Sequence, residues 1–218
     1  MKQRVSAFTT GISLVAMAII GGYALGFALP SFYPLSEVAG YSEKMKDAIV
    51  LYKNMLNCIA IVLLLDLIVS YTIFSFFKEV DNKTAFICAI LRVVYTVIFG
   101  LSTLYLVKNL SYDHLTNSQL ESNFELFFRV WNLGLTLFGV HVFLVGLLMK
   151  AQGSIPSYLW YTTLFAGICY TALYLLKLAP YSQPLATILE PVLVLPMAVG
   201  ELGLAIWLLV KSGKKNNS

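Results

Sequence analysis

The chain has 218 residues, of which 59% are hydrophobic and only 12% charged, about half the charged share of an ordinary soluble domain. Its formal net charge is +4 and its mean hydropathy +0.79. This composition excludes a disordered chain, a nucleic-acid binder built on basic patches, and a water-soluble globule.

The apolar residues gather in runs of about twenty or more, the length a helix needs to cross a bilayer. The pattern predicts an all-α polytopic integral membrane protein: a bundle of six transmembrane helices forming a single domain over 1–218, with the lipid bilayer as its main partner. The first span is expected over residues 9–29, ending at Pro30. Met1-Lys2-Gln3-Arg4 followed by an apolar run has the outline of a signal peptide, with Gly26-Phe27-Ala28 as a small-x-small step. The run is longer than an ordinary signal-peptide core, so a retained span is the better reading. Gly22 and Gly26 form a G-x-x-x-G step that predicts a close helix contact. Ser42 is placed to cap the helix leading into span two, residues 52–77. Span three is expected over 84–107 and span four over 126–149. Ser118-Gln119-Leu120-Glu121 reads as a capping box that starts the fourth helix well before it enters lipid. Span five covers 157–178, and Pro180 and Pro184 break the next connection. Span six covers 188–210, with Pro191 and Pro196 predicted to kink it.

Lys and Arg in short loops set orientation. With both termini cytoplasmic, the inner side holds Lys2, Arg4, Lys78, Lys83, Lys150, Lys211, Lys214 and Lys215, and the outer side holds Lys44, Lys46, Lys53 and Lys108. Eight against four favours this orientation, in a cell (inner) membrane. Trp131, Trp160 and Trp207 fall near span ends, as an interfacial belt predicts. Cys58, Cys88 and Cys169 lie inside apolar runs without metal or redox spacing and are expected to act as small hydrophobes.

The informative residues are ionisable groups deep inside spans: Asp66, Arg92, His141 and Glu201. Each costs several kcal/mol at mid-membrane unless partnered. At 1.5 Å rise per residue they lie about 16, 12, 13 and 15 Å from the cytoplasmic ends of their spans, which puts them at roughly one level. Cys88, Arg92, Thr96 and Thr103 share one side of span three, and Glu190 and Glu201 share one face of span six. The expected pairs are Asp66 with Arg92 and His141 with Glu201, leaving about one net negative charge when the histidine is neutral. Glu190 and Asn132 are secondary candidates. Asn132 heads a stripe with Thr136, Gly139, Phe143 and Gly146 that predicts close helix packing. Tyr158, Tyr161, Tyr170, Tyr174 and Tyr181 are candidates to line a cavity, or else packing and interface anchors. His114 is expected to be a solvated loop residue, and Lys177 and Arg129 to snorkel to the outer surface.

Three functions fit this cluster. The first is binding or transport of a small polar or lipophilic molecule, or a proton, at the intramembrane site. The second is a membrane-embedded enzyme acting on a lipid or lipophilic substrate, with His141 and Glu201 as acid and base. The third is a scaffold whose buried pairs only fix helix packing. No catalytic residue can be assigned. The adjacent Arg92 cation argues against a metal at Asp66, His141 and Glu201, and no cofactor is expected.

Several short motifs recur in a fixed order. They are Asp66 in its leucine run, Ala89-Ile90-Leu91-Arg92-Val93-Val94, Phe138-Gly139-Val140-His141, Gly146-Leu147-Leu148, the Ser154-Ile155-Pro156 turn, and Gly200-Glu201-Leu202 followed by Trp207-Leu208-Leu209-Val210-Lys211. In order and spacing they resemble the bacterial membrane-protein family of domain of unknown function 4386, from the first span to Lys211. Met149-Lys150-Ala151-Gln152 departs from that family's basic-and-serine turn entry. The resemblance implies a multi-spanning protein of the cytoplasmic membrane and brings no activity or catalytic residues with it.

Overall fold

Backbone N–H and C=O groups in hydrocarbon have no water to bond, so a spanning chain must satisfy them internally. The computed structural model describes residues 2–33 and 41–213, and among these residues the chain does so with helices and no strands. The helices are α1 (Lys2–Gly21), α2 (Tyr41–Asp47), α3 (Ile49–Phe77), α4 (Asn82–Lys108), α5 (Asn117–Ala151), α6 (Ser157–Leu178) and α7 (Gln183–Gly213). α1 continues as a π-helical segment, Gly22–Ala28, and a 3-10 turn, Leu29–Ser31. Six helices are long and apolar enough to cross a membrane, and the short α2 is the exception. The chain is a multi-pass membrane protein of helical fold. Lys214 and Lys215 of the charge count lie outside the described residues; Ser42, the expected cap, lies within α2, and its side chain is outside what is described.

The spans close a ring. α1 packs on α3, α3 on α4, α4 on α5, α5 on α6, α6 on α7, and α7 returns to α1. Two apolar cores fill it. One, built on Phe32, Tyr52, Phe99, Phe124 and Phe127, lies toward the α2 end. The other, built on Ile73, Phe77, Cys88, Met149 and Leu208, lies toward the end where α1 begins and α7 ends. α2 rests on α5 and on the 3-10 segment Asn109–His114, closing the far end.

Local chemistry explains the helix boundaries. Asp81 caps α4, accepting 3.1 Å from the Thr84 N–H and 2.6 Å from its hydroxyl, which holds this exposed carboxyl below the usual carboxylate range. α5 starts ahead of its span, as expected, but its capping box is Thr116 with Gln119 rather than Ser118 with Glu121. Thr116 is extended (ψ 157°), whereas Ser118 is already helical, so only Thr116 can serve as the cap. The break after α6 is made by Ala179, held extended (ψ 118°) before Pro180. Pro184 breaks nothing. It sits in the first turn of α7, where its missing N–H has no intrahelical partner to lose. α7 runs on through Pro191 and Pro196, which deprive the Thr187 and Val192 carbonyls of their helical donors.

Helix approach is closest at glycines, though not at all the expected ones. A Cβ on Gly167 would sit 2.5 Å from the Phe143 nitrogen, and one on Gly139 2.5 Å from the Thr171 nitrogen. Phe143, Gly139 and Gly146 of the predicted stripe therefore form the α5–α6 contact. Gly11 plays the same part between α1 and α7, against Ala205 and Leu209. Gly22 and Gly26 have nothing within 4 Å of their Cβ positions, so the G-x-x-x-G step is not a helix contact. This contrast is testable by thermal unfolding in detergent. Gly167→Val should lower the midpoint by several degrees and reduce folded yield, because backbone cannot retreat. Gly22→Ala should leave the midpoint within about a degree, because added methyls there meet open space.

Candidate functional site

Arg92 is the largest side chain with almost no exposure, at 2%. Its Nη2 donates to Asp66 Oδ1 at 2.6 Å, and Asp66 itself has 0% exposure. The two helices lock nearby as well, where the Ser70 hydroxyl donates to the Ala89 carbonyl at 2.9 Å. On the other side Arg92 Nη1 lies 3.2 Å from His141 Nε2, and the guanidinium carbon stands 5.3 Å over the Phe138 ring. Arginine can only donate, so Nε2 must accept. The ring proton then sits on Nδ1, which donates to the Cys88 carbonyl at 2.8 Å. The Cys88 thiol is 3.1 Å from the same nitrogen. One chain of contacts therefore links α3, α4 and α5.

The expected direct pair of His141 with Glu201 does not form. His141 is held by Arg92 and Cys88, and the Glu201 carboxylate accepts from the Tyr170 hydroxyl. Arg92, His141 and Glu201 instead face a common gap of about 20 Å³, enough for one water. Bringing the ring onto Glu201 would strip the guanidinium of its second acceptor, so the arginine wins the histidine.

Beside this gap lies a much larger cavity of about 460 Å³ at the centre of the ring, with walls from α1 and all five other spans. Asp66 and Glu201 are its charged residues, and Tyr95, Trp131, Phe138, Tyr170 and Tyr174 are its main aromatic ones. Two buried polar atoms on its lining residues, Asp66 Oδ2 and the Trp131 indole nitrogen, make no hydrogen bond. Arg92 and His141 are not among the residues that line it. Ala18 of α1 and Ala198 and Leu202 of α7 line the cavity and are also exposed on the outer surface, so it opens sideways between these two helices. Further along, Gly11 lies against Ala205 and Leu209 and closes the seam.

The secondary candidates lie elsewhere. Glu190 binds Lys177 at 2.5 Å, and both line a separate cavity of about 230 Å³ with Asn132. Trp131 and Tyr174 line both cavities and so stand between them. Of the five tyrosines considered, Tyr170 and Tyr174 face the main cavity, while Tyr158, Tyr161 and Tyr181 are exposed. Trp131 is not in an outer belt. It points into the bundle and stacks on Phe99 and Phe127 at 5.4 Å. Tyr95 was not singled out from sequence, and Phe138 only as the head of the Phe138–His141 motif. Their signal was helical spacing: Tyr95 with Phe99, and Trp131 with Leu135 and Phe138, recur at three to four residues on one face. His114 is exposed, as expected of a loop residue.

Comparison with known proteins places this architecture. The family model "Domain of unknown function (DUF4386)" matches residues 9–212. The chain belongs to the DUF4386 family. A curated relative from Archaeoglobus fulgidus, described as an uncharacterized protein, is 24% identical over 156 residues, covering 72% of this chain and 82% of the relative. That relative is archaeal, so the likeness is not confined to bacteria. No solved structure matches the chain. In this DUF4386 protein the family match spans Asp66, Arg92, His141 and Glu201 together.

The ion pair makes a sharp prediction. Asp66→Asn leaves a buried guanidinium uncompensated and should cost about 3–5 kcal/mol, seen as a lower unfolding midpoint and folded yield. Asp66→Leu combined with Arg92→Met should recover most of that loss. His141→Ala should cost about 1–3 kcal/mol, because Arg92 and the Cys88 carbonyl both lose a partner.

Proposed function

We propose that this protein binds, and in doing so carries or senses, a small molecule in the central cavity of its bundle. The observation that carries this reading is the cavity itself: about 460 Å³ at the heart of a ring otherwise packed through glycine contacts, with Glu201 on its wall. That volume is within the range of small-molecule sites. A scaffold would gain stability by filling such a space with side chains, since each unfilled pocket forfeits dispersion contacts. The sideways opening between α1 and α7 favours an occupant that arrives from the lipid over one that arrives from water.

The membrane-embedded enzyme is the weaker alternative. His141 would have to leave both of its partners to reach the cavity, and it does not line it. The lysine and arginine bias supports a cell-membrane location with both termini in the cytoplasm.

The test uses the protein reconstituted in nanodiscs after mild extraction from its own membrane. Native mass spectrometry should find a retained small molecule or lipid at about one per chain. Ala198→Trp, which puts an indole at the mouth of the cavity, should reduce that occupancy several-fold while the folded yield is kept. Equal occupancy in both proteins, or none in either, would sink the reading.

A further inference from the structure

The chemistry of the cavity wall narrows the class of occupant. We propose that the ligand is a monovalent organic cation, an amine carried on an apolar body, with Glu201 as its counter-ion and the surrounding rings as its cage. This rests on the binding reading above and goes beyond it.

Charge is the first support. Asp66 and Arg92 cancel through their 2.6 Å contact, and Glu201 is the remaining ionisable carboxylate on the wall. Lys, Arg and His are absent from the lining residues, so the wall itself supplies no cation to balance it. The nearest guanidinium is Arg92, on the far side of a gap of about 20 Å³ and already engaged by Asp66 and His141. An anionic ligand would meet this carboxylate as a repulsion in a low-dielectric space. A neutral ligand would leave it without a partner beyond Tyr170.

Aromatic character is the second support. Tyr95, Phe99, Trp131, Phe138, Tyr170 and Tyr174 all line the cavity, from α4, α5 and α6. Ring faces carry partial negative charge and attract cations, and several of them around one carboxylate make the usual recognition site for alkylammonium groups. Two rings of this wall already meet cations of the protein itself, Phe138 with Arg92 at 5.3 Å and Tyr174 with Lys177 at 5.4 Å.

Hydrogen bonding is the third. Glu201 is partly exposed on the cavity wall, where it accepts from Tyr170. A protonated amine has N–H groups for the remaining lone pairs of this carboxylate, whereas a quaternary ammonium has none. The rest of the wall is apolar, supplied by residues such as Leu14, Leu25, Val62, Leu135 and Met197, which suits a hydrocarbon body.

The test compares three probes that share one body: 4-phenylbutylammonium, 4-phenyl-1-butanol and 4-phenylbutyrate. The protein carries Trp160→Phe and Trp207→Phe, which leaves Trp131 as the reporter on the cavity wall, and sits in nanodiscs of zwitterionic phosphatidylcholine at pH 7. The ammonium probe should shift Trp131 emission with an apparent Kd about tenfold or more below that of the alcohol, with the carboxylate weakest of the three. Glu201→Gln should erase most of that preference, bringing the ammonium Kd to within a few-fold of the alcohol Kd. An alcohol that binds as tightly as the ammonium overturns the cationic assignment while leaving the binding reading intact. So does an ammonium preference that survives Glu201→Gln. If no probe reaches Trp131 while mass spectrometry still finds an occupant, the assignment again falls and the cavity keeps its function.

Discussion

Burying a guanidinium in hydrocarbon dominates the energetics of this molecule. Arg92 carries a full charge and several donors to a place where water is scarce; both terminal nitrogens find acceptors and Nε finds none. Asp66 neutralises the charge, His141 takes a second donor, and Phe138 covers the face of the group. Those partners sit on α3 and α5, while Arg92 sits on α4, so the three helices can satisfy it at only one relative height and rotation. The apolar contacts above and below are compatible with many sliding registers. The arginine removes that freedom, in the way a single buried polar residue sets register in a coiled coil.

The cavity is a consequence of where the chain places small and large residues. Gly139, Gly146, Gly167 and Gly200 draw α5, α6 and α7 together along their shared sides. The large rings of Tyr95, Trp131, Tyr170 and Tyr174 instead face the centre of the ring, where they hold opposite walls apart. Tight contacts on the perimeter and bulky side chains at the axis leave a space that the available residues do not fill. α1 contributes to the same outcome. It is pinned to α7 at Gly11, but its π-helical continuation packs on α3, so the α1–α7 seam opens toward the far end.

Sequence reasoning identified the number of spans, because hydrocarbon thickness imposes a length that composition reveals directly. Span five agrees residue for residue, and the early start of α5 was legible from its polar capping residues. The Asp66–Arg92 contact was legible for a similar reason: opposite charges at one depth have few other options. What failed were inferences about partners when more than one was available. His141 was assigned to Glu201 at a shared depth, and depth gave no sign that Arg92 would take it as a second acceptor. Trp131 looked interfacial from its position in the span, yet its face of α5 turns inward. Gly22 and Gly26 have the spacing of a contact, but α7 runs away from them.

The linear chain by itself determined that this protein crosses a membrane repeatedly as helices, and that the ionisable residues inside its spans needed partners. Both follow from transfer free energies that each residue carries wherever it is placed. Only the folded arrangement decided which helices became neighbours in the ring, that histidine would serve the arginine and glutamate the tyrosine, and that a cavity would open beside them. These outcomes depend on differences between competing contacts of similar strength, and such differences exist only once all the competing side chains are in place.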